Sequence, residues 1–186
     1  MKFKVAILSV VIALCACGSS GTITEGRENM GPQMVADWQN FRFEADWAQP
    51  LVTTSMTRIA NAGMLPAGST ASRINLIGNT NYLQISGDSV EAYLPYYGEQ
   101  QMSAAYNNSD NGIQFKGLAR NMEITRKEGQ AGYQIKFKIK EVTELFQVNV
   151  AVFSNKKCIV NIRSSHRHPI RYDGNLVNRE NNSAYR

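Results

Sequence analysis

The sequence predicts a mainly β fold: a single domain of about ten short strands in an antiparallel sheet, curved or closed as a barrel or sandwich, with one short N-terminal helix. Three observations carry this. Asn81–Leu94 reads NYLQISGDSVEAYL, two alternating runs either side of Gly87-Asp88. The second half repeats the alternation: Tyr133, Ile135, Phe137 and Ile139 interleave with Gln134, Lys136, Lys138 and Lys140, and Phe146, Val148, Val150 and Val152 with Gln147, Asn149 and Ala151. No helical period separates these runs, so the crossover helices that parallel strands need have nowhere to form.

Ahead of the domain lies a processing signal. Lys2 and Lys4 supply a positive start, and Val5–Ala16 is an apolar run shorter than the ~20 residues that span a bilayer. It ends in Leu14-Cys15-Ala16-Cys17, then Gly18-Ser19-Ser20. A Leu three places before a Cys, with a small residue between, resembles the lipobox of bacterial lipoproteins. That resemblance implies removal of residues 1–16, Cys15 among them, and lipidation of Cys17; an ordinary secretory signal cut nearby is the alternative. Durable anchoring takes more than one acyl chain. By analogy the protein is expected at the outer membrane, facing the periplasm, since no acidic residue follows Cys17 until Glu25.

The mature chain keeps one further cysteine, Cys158, which excludes an intramolecular disulfide even in an oxidising compartment. Stability must come from a core, and roughly 170 residues suffice for one domain that buries about two-thirds of its unfolded surface. The full-chain charge is +5. Loss of Lys2 and Lys4 leaves about +3, too mild to argue for nucleic acid.

Residues 17–31 are small and polar and read as a flexible tether. Pro32 suits the first helical position, and Met34, Val35 and Trp38 share one face of a short helix ending near Asn40. Period two follows, with Phe41, Phe43, Ala45 and Trp47 on one side: a strand with an aromatic core face. Gln49–Ser72 is irregular, holding Pro50, Gly63, Pro66 and Gly68 among Leu51, Val52, Met56 and Ile59. It reads as a loop over one end of the core or as a lid over a pocket.

The central hairpin comes next. Gly87 supplies the positive φ that tight hairpin turns require. With Gly87-Asp88 as the loop, Ser86 faces Ser89, Ile85 faces Val90, Gln84 faces Glu91, Leu83 faces Ala92 and Tyr82 faces Tyr93. Leu83, Ile85, Val90, Ala92 and Leu94 then share the core face, and a one-residue slip would turn them all to solvent. Beyond the Pro95–Gly98 turn, Met102–Tyr106 reads as a weak strand, and Asn107–Gly112 as a turn without the acid spacing of a calcium loop. Ile113 with Phe115, Met122 with Ile124, Cys158 with Val160 and Ile162, and Ile170 with Tyr172 complete the strands. The domain is expected over 32–175, with a polar tail from 176 to 186.

Several stretches carry a likeness: Phe43-Glu-Ala-Asp-Trp47, Arg73-Ile-Asn-Leu76, Ser86–Gly98, Asn111–Gly117 and Ile170-Arg-Tyr-Asp-Gly174. Together they resemble a family of small lipoproteins from Bacteroidetes known only as domain of unknown function 4251. The resemblance covers about Trp38 to Gly174 and implies an envelope lipoprotein with a single, mostly β domain. It implies no activity, cofactor or catalytic residue.

Candidate chemistry is sparse. His166 and His168 flank Arg167 and would point the same way in an extended segment, but two imidazoles fall short of the three or four ligands a zinc site takes. Nearby Arg163, Arg167 and Arg171 oppose a cation, so a solvated basic strand end fits better. Cys158 follows Lys156 and Lys157, which can lower a thiol pKa, yet its place in an apolar alternation fits a core residue. Lys136, Lys138 and Lys140 form a basic stripe opposite the core aromatics, read as a solvated face or an edge guard, not as a stacking surface for nucleic acid. No nucleophile elbow, metalloprotease or phosphate-loop spacing occurs.

The outer face of the hairpin is the surface that stands out, with Tyr82 opposite Tyr93, near Tyr96, Tyr97 and Tyr106. Tyrosine offers an apolar body with a polar handle, suited to a ligand or partner; the alternative is a cross-strand pair or a second core layer. The expected function is a lipid-anchored, non-enzymatic module for an unidentified protein, glycan or lipid, without cofactor and without nucleic acid. The alternatives are a small carrier or hydrolase with a pocket under residues 49–72, and an inhibitor of an envelope enzyme.

Overall fold

The computed structural model describes residues 40–101, 112–127 and 132–177. Ten strands follow in order: β1 (Asn40–Pro50), β2 (Ile74–Asn75), β3 (Tyr82–Ser86), β4 (Ser89–Leu94), β5 (Ile113–Leu118), β6 (Arg120–Lys127), β7 (Gly132–Glu141), β8 (Glu144–Phe153), β9 (Lys157–Ser164) and β10 (Ile170–Val177). One helix, α1 (Thr54–Asn61), follows β1. Every pairing is antiparallel, and the sheet runs β5-β4-β3-β1-β10-β9-β8-β7-β6, with β2 paired to β1 off that path.

The sheet thus has two sequence-contiguous halves. β1–β5 lie on one side of the β1–β10 ladder and β6–β10 on the other, the latter a plain meander of hairpins. Only Ala119 separates β5 from β6, so the two margins of the sheet meet again and the barrel nearly closes. Side chains bridge that seam. Phe115 of β5 packs against Phe137 of β7 and Phe146 of β8, with ring centres 6.3 and 5.4 Å apart. Outside, the Glu141 carboxylate accepts from the Lys116 amide at 3.4 Å.

Alternation puts one face of each strand inside. Leu83, Ile85, Val90, Ala92 and Leu94 are buried, and the β3–β4 register is the one the Gly87-Asp88 loop specifies, in all five pairs. Gly87 sits at φ 59° as the first of two loop residues, the pattern of a type II′ turn. Ile135, Phe137, Ile139, Phe146, Val148, Val150, Val152, Val160 and Ile162 fill the second half, with Cys158 buried among them. Burial pushes the Cys158 thiol far up, so this is an inert core residue. Tyr172 is fully buried and donates to the Pro95 carbonyl at 2.8 Å.

Four expectations change. Trp47 does not join Phe41, Phe43 and Ala45 in the core, because a bulge between Ala45 and Trp47 shifts the phase and brings Ala48 inward. Trp47 instead carries the Arg73 guanidinium 4.0 Å over its ring. The described helix lies within the stretch read as irregular, where Thr53 caps it by accepting from the Met56 amide at 3.2 Å. The helix expected over 32–40 lies almost wholly outside the described residues, as do the weak strand 102–106 and most of the turn after it. β10 continues through Leu176 and Val177, two residues into the expected tail, since Phe43 and Arg42 pair with them. Finally, β7 is not an edge: β6 covers it, and the charged residues on the free margin are those of β6, such as Arg126 and Lys127.

At the bulge one side chain replaces a strand. Asn81, 5% exposed, accepts from the Ala45 amide at 2.7 Å and donates to the Ala45 carbonyl at 3.0 Å. β1 pairs with β3 up to Phe43 and with β2 from Trp47, and the Asn81 amide fills the gap between them. Across the other edge of β1, Gly174 opposes Ala45, and a Cβ there would collide with the Glu44 carbonyl.

Candidate functional site

The predicted tyrosines form a stacked pair and a cleft that share Tyr93. Tyr82 and Tyr93 stack with ring centres 6.4 Å apart on the outer face of the hairpin. The Arg42 guanidinium lies 3.9 Å over the Tyr82 ring. The Tyr82 hydroxyl donates to Glu91 at 2.7 Å, and Lys116 pairs with the same carboxylate at 2.9 Å. Partial burial, then that hydrogen bond to a carboxylate, raises the Tyr82 pKa. The Tyr82 hydroxyl holds the Glu91 carboxyl below its usual range, with Lys116 adding to it. This patch is satisfied within itself, with Tyr93 its exposed ring at 40%.

Tyr93, Tyr96 and Tyr97 line a cleft of about 460 Å3 together with Asn79, Thr80 and Gln114. Burial raises the Tyr97 pKa and dominates at Tyr96 as well. Tyr96 is held in place: its hydroxyl lies 2.9 Å from the Glu99 carbonyl and 3.2 Å from that of His168. Tyr106 lies outside the described residues. So does Cys17.

Sequence reasoning missed Arg167, which is 8% exposed and not part of a solvated strand end. Its guanidinium binds both oxygens of Glu144 at 3.0 and 3.3 Å and donates to the Gly112 carbonyl at 3.0 Å, while lying 5.2 Å from the Tyr96 ring centre. Ser164 donates to the same Glu144 carboxylate. One cation thereby ties the start of β8, the approach to β5 and the wall of the tyrosine cleft. No local pattern announces a partner 23 residues away.

The histidines are not joined into a metal centre. His166 Nδ1 meets the Ser165 hydroxyl at 2.7 Å, while His168 lies 4.0 Å from the Glu99 carboxylate. Among the described residues no cluster of three or more His, Cys, Asp or Glu side chains is placed to hold a metal ion. The hydroxyls of Ser55 and Thr53, at the start of α1, hold the Glu99 carboxyl below its usual value.

A second cleft, of about 700 Å3, opens on the outer face of the other half. Its walls are outward side chains of β1 and β6–β10, including Gln49, Lys136, Lys138, Asn149, Asn161 and Arg163. It borders Gln49, Pro50 and Leu51 but does not lie beneath the rest of the 49–72 stretch. Lys136 and Lys138 of the basic stripe on β7 line this groove, while Lys140 lies beyond it. Strand order makes it a groove, and sequence period carries no strand order.

Fold and clefts define a class: a small antiparallel β domain, nearly closed, with a ring-filled interior and its described clefts on the outer surface. The family model described as Domain of unknown function (DUF4251) matches residues 29–176, and the chain belongs to that family. No curated protein matches it. Among the described residues no helix is long and apolar enough to cross a membrane.

Proposed function

We propose that the protein is a lipid-anchored binding module of the cell envelope, held through Cys17 at the outer membrane on the periplasmic side, with the tyrosine cleft as its recognition site. One observation carries the reading. The interior is packed with Phe43, Phe115, Phe137, Phe146 and Tyr172, so ligand contact falls to the outer surface. There, Tyr93 and Tyr97 present apolar rings and hydroxyls beside Asn79, Thr80 and Gln114, the mix of flat apolar area and hydrogen-bonding groups that suits a glycan or an extended polypeptide. A packed interior also weighs against the carrier alternative.

Two experiments test it. Cys17→Ala should move the protein from the membrane to the soluble envelope fraction, and persistence in the membrane would refute the anchor. A photo-crosslinking residue in place of Tyr93 or Tyr97 of the full chain should give a discrete adduct in living cells. A control probe at Ser154, exposed on the β8–β9 turn at the opposite end of β8 from Glu144, should not. Equal adducts at all three positions, or none, would refute the site.

A further inference from the structure

The groove on the β6–β10 half shares no lining residue with the tyrosine cleft. Its side chains lie in register across strands: Lys136 opposes Asn149, Asn149 opposes Asn161, Asn161 opposes Arg171, and Arg171 opposes Gln49. A parallel row runs Lys138, Gln147, Arg163. At the usual interstrand spacing the first row is about 19 Å long, the length of an extended chain segment and far beyond a single small anion.

The charge is lopsided. Lys136, Lys138, Arg163 and Arg171 line the groove against one carboxylate, Glu123, which opposes Lys136. Arg171 is engaged by Asp173 at 2.7 Å. Lys138 and Arg163 make no ion pair among the described residues. The amides are also available. Asn149 accepts from Gln134 at 2.9 Å, which leaves its NH2 donors free, and Gln147 and Asn161 make no side-chain hydrogen bond among the described residues.

We propose that this groove binds an acidic polysaccharide, its carboxylates on Lys138, Arg163 and Lys136 and its hydroxyls on Asn149, Asn161 and Gln147. Cations interspersed with amides match a chain that carries both carboxylates and hydroxyls. Single-stranded nucleic acid is disfavoured because Phe137, the one ring among the lining residues, points into the core at 2% exposure and offers no stacking face. An acidic peptide gains its main-chain hydrogen bonds at a sheet edge, whereas this groove crosses the face of paired strands. A flat bilayer cannot reach the floor of a concave cleft.

The test uses full-length protein in detergent micelles with polygalacturonate as probe, followed by calorimetry. Binding is expected, weakening as salt rises, and Lys138→Gln/Arg163→Gln should lower affinity about tenfold or more. Asn161→Leu should lower it without changing the salt dependence. All three residues are exposed, and unchanged thermal unfolding of each variant shows that the fold is kept. The inference is overturned by absent binding, by equal binding of the charge variant or of methyl-esterified polygalacturonate, or by tighter binding of poly-glutamate, single-stranded DNA or anionic vesicles. Tyr97→Ala should leave this binding unchanged, so failure of one site is separable from failure of the other.

Discussion

Replacing Asn81 by Leu removes the side chain that stands in for a strand at the β1 bulge. The Ala45 amide and carbonyl, bound at 2.7 and 3.0 Å, then lose their partners in a site that is 5% exposed. Each unpaired buried group costs about 1–3 kcal/mol, and the added apolar burial of Leu offsets part of it. A net loss of about 2–4 kcal/mol is expected, or roughly 4–16 °C in Tm for a domain of this size. Urea unfolding of the full chain in micelles, followed by far-UV circular dichroism, measures it. Asn81→Asp refines the reasoning. Its carboxylate keeps the bond from the Ala45 amide but faces the carbonyls of Ala45 and Asn79 without a proton to donate. Burial raises its folded pKa above the unfolded value, so this variant should be most stable below the unfolded carboxylate range and lose stability as pH rises through the folded pKa. Asn81→Leu within about 0.5 kcal/mol of wild type would falsify the assignment of Asn81 as a surrogate strand.

Three further outcomes are expected. Cys158 should resist thiol reagents in the folded protein and react only as fast as the domain opens, because burial raises its pKa; prompt labelling under native conditions would contradict its place in the core. Val142 sits at φ 49° in the exposed β7–β8 turn, a strained conformation for a β-branched residue. Val142→Asn should therefore stabilise by about 1 kcal/mol, and a lower urea midpoint would show that the strain is absent. Glu91 has its pKa depressed by Tyr82 and then Lys116, so its contribution is present above the unfolded carboxylate value and lost as pH falls through the folded one. At 35% exposure that contribution stays below about 1 kcal/mol. The acid limb of stability against pH should be shallower in Glu91→Gln, and superimposable limbs would remove the ion pair from the account.

The hairpin was legible because one short-range signal, Gly87-Asp88, fixes both turn and register, and alternation on either side fixes the faces. The same logic located the core positions of β5 and β7–β10. It failed where structure depends on partners distant in sequence. Trp47 follows its strand's period until a bulge, held by Asn81 from the far side of α1, reverses the phase. α1 is eight residues long with Met56 its buried residue, too little apolar periodicity to show against flanking Pro and Gly. Arg167 looked solvated because Glu144 and Tyr96 reach it only in the folded chain. The basic stripe was visible, but the place of Lys136 and Lys138 in a groove depends on β8, β9 and β10 lying beside β7 in that order. Alternation placed Tyr82 opposite Tyr93, but the cleft that Tyr93 shares with Tyr96 and Tyr97 depends on how the chain turns after β4.

The division of the sheet into β1–β5 and β6–β10 makes the protein a two-piece object clasped twice. One clasp is the β1–β10 ladder; the other is the Phe115, Phe137 and Phe146 cluster that joins β5 to β7 and β8. Severing the peptide at Ala119 cuts the covalent tie and leaves both clasps whole. The nicked fragments should stay together, and separately made halves should find each other and rebuild the barrel, in the manner of a split reporter.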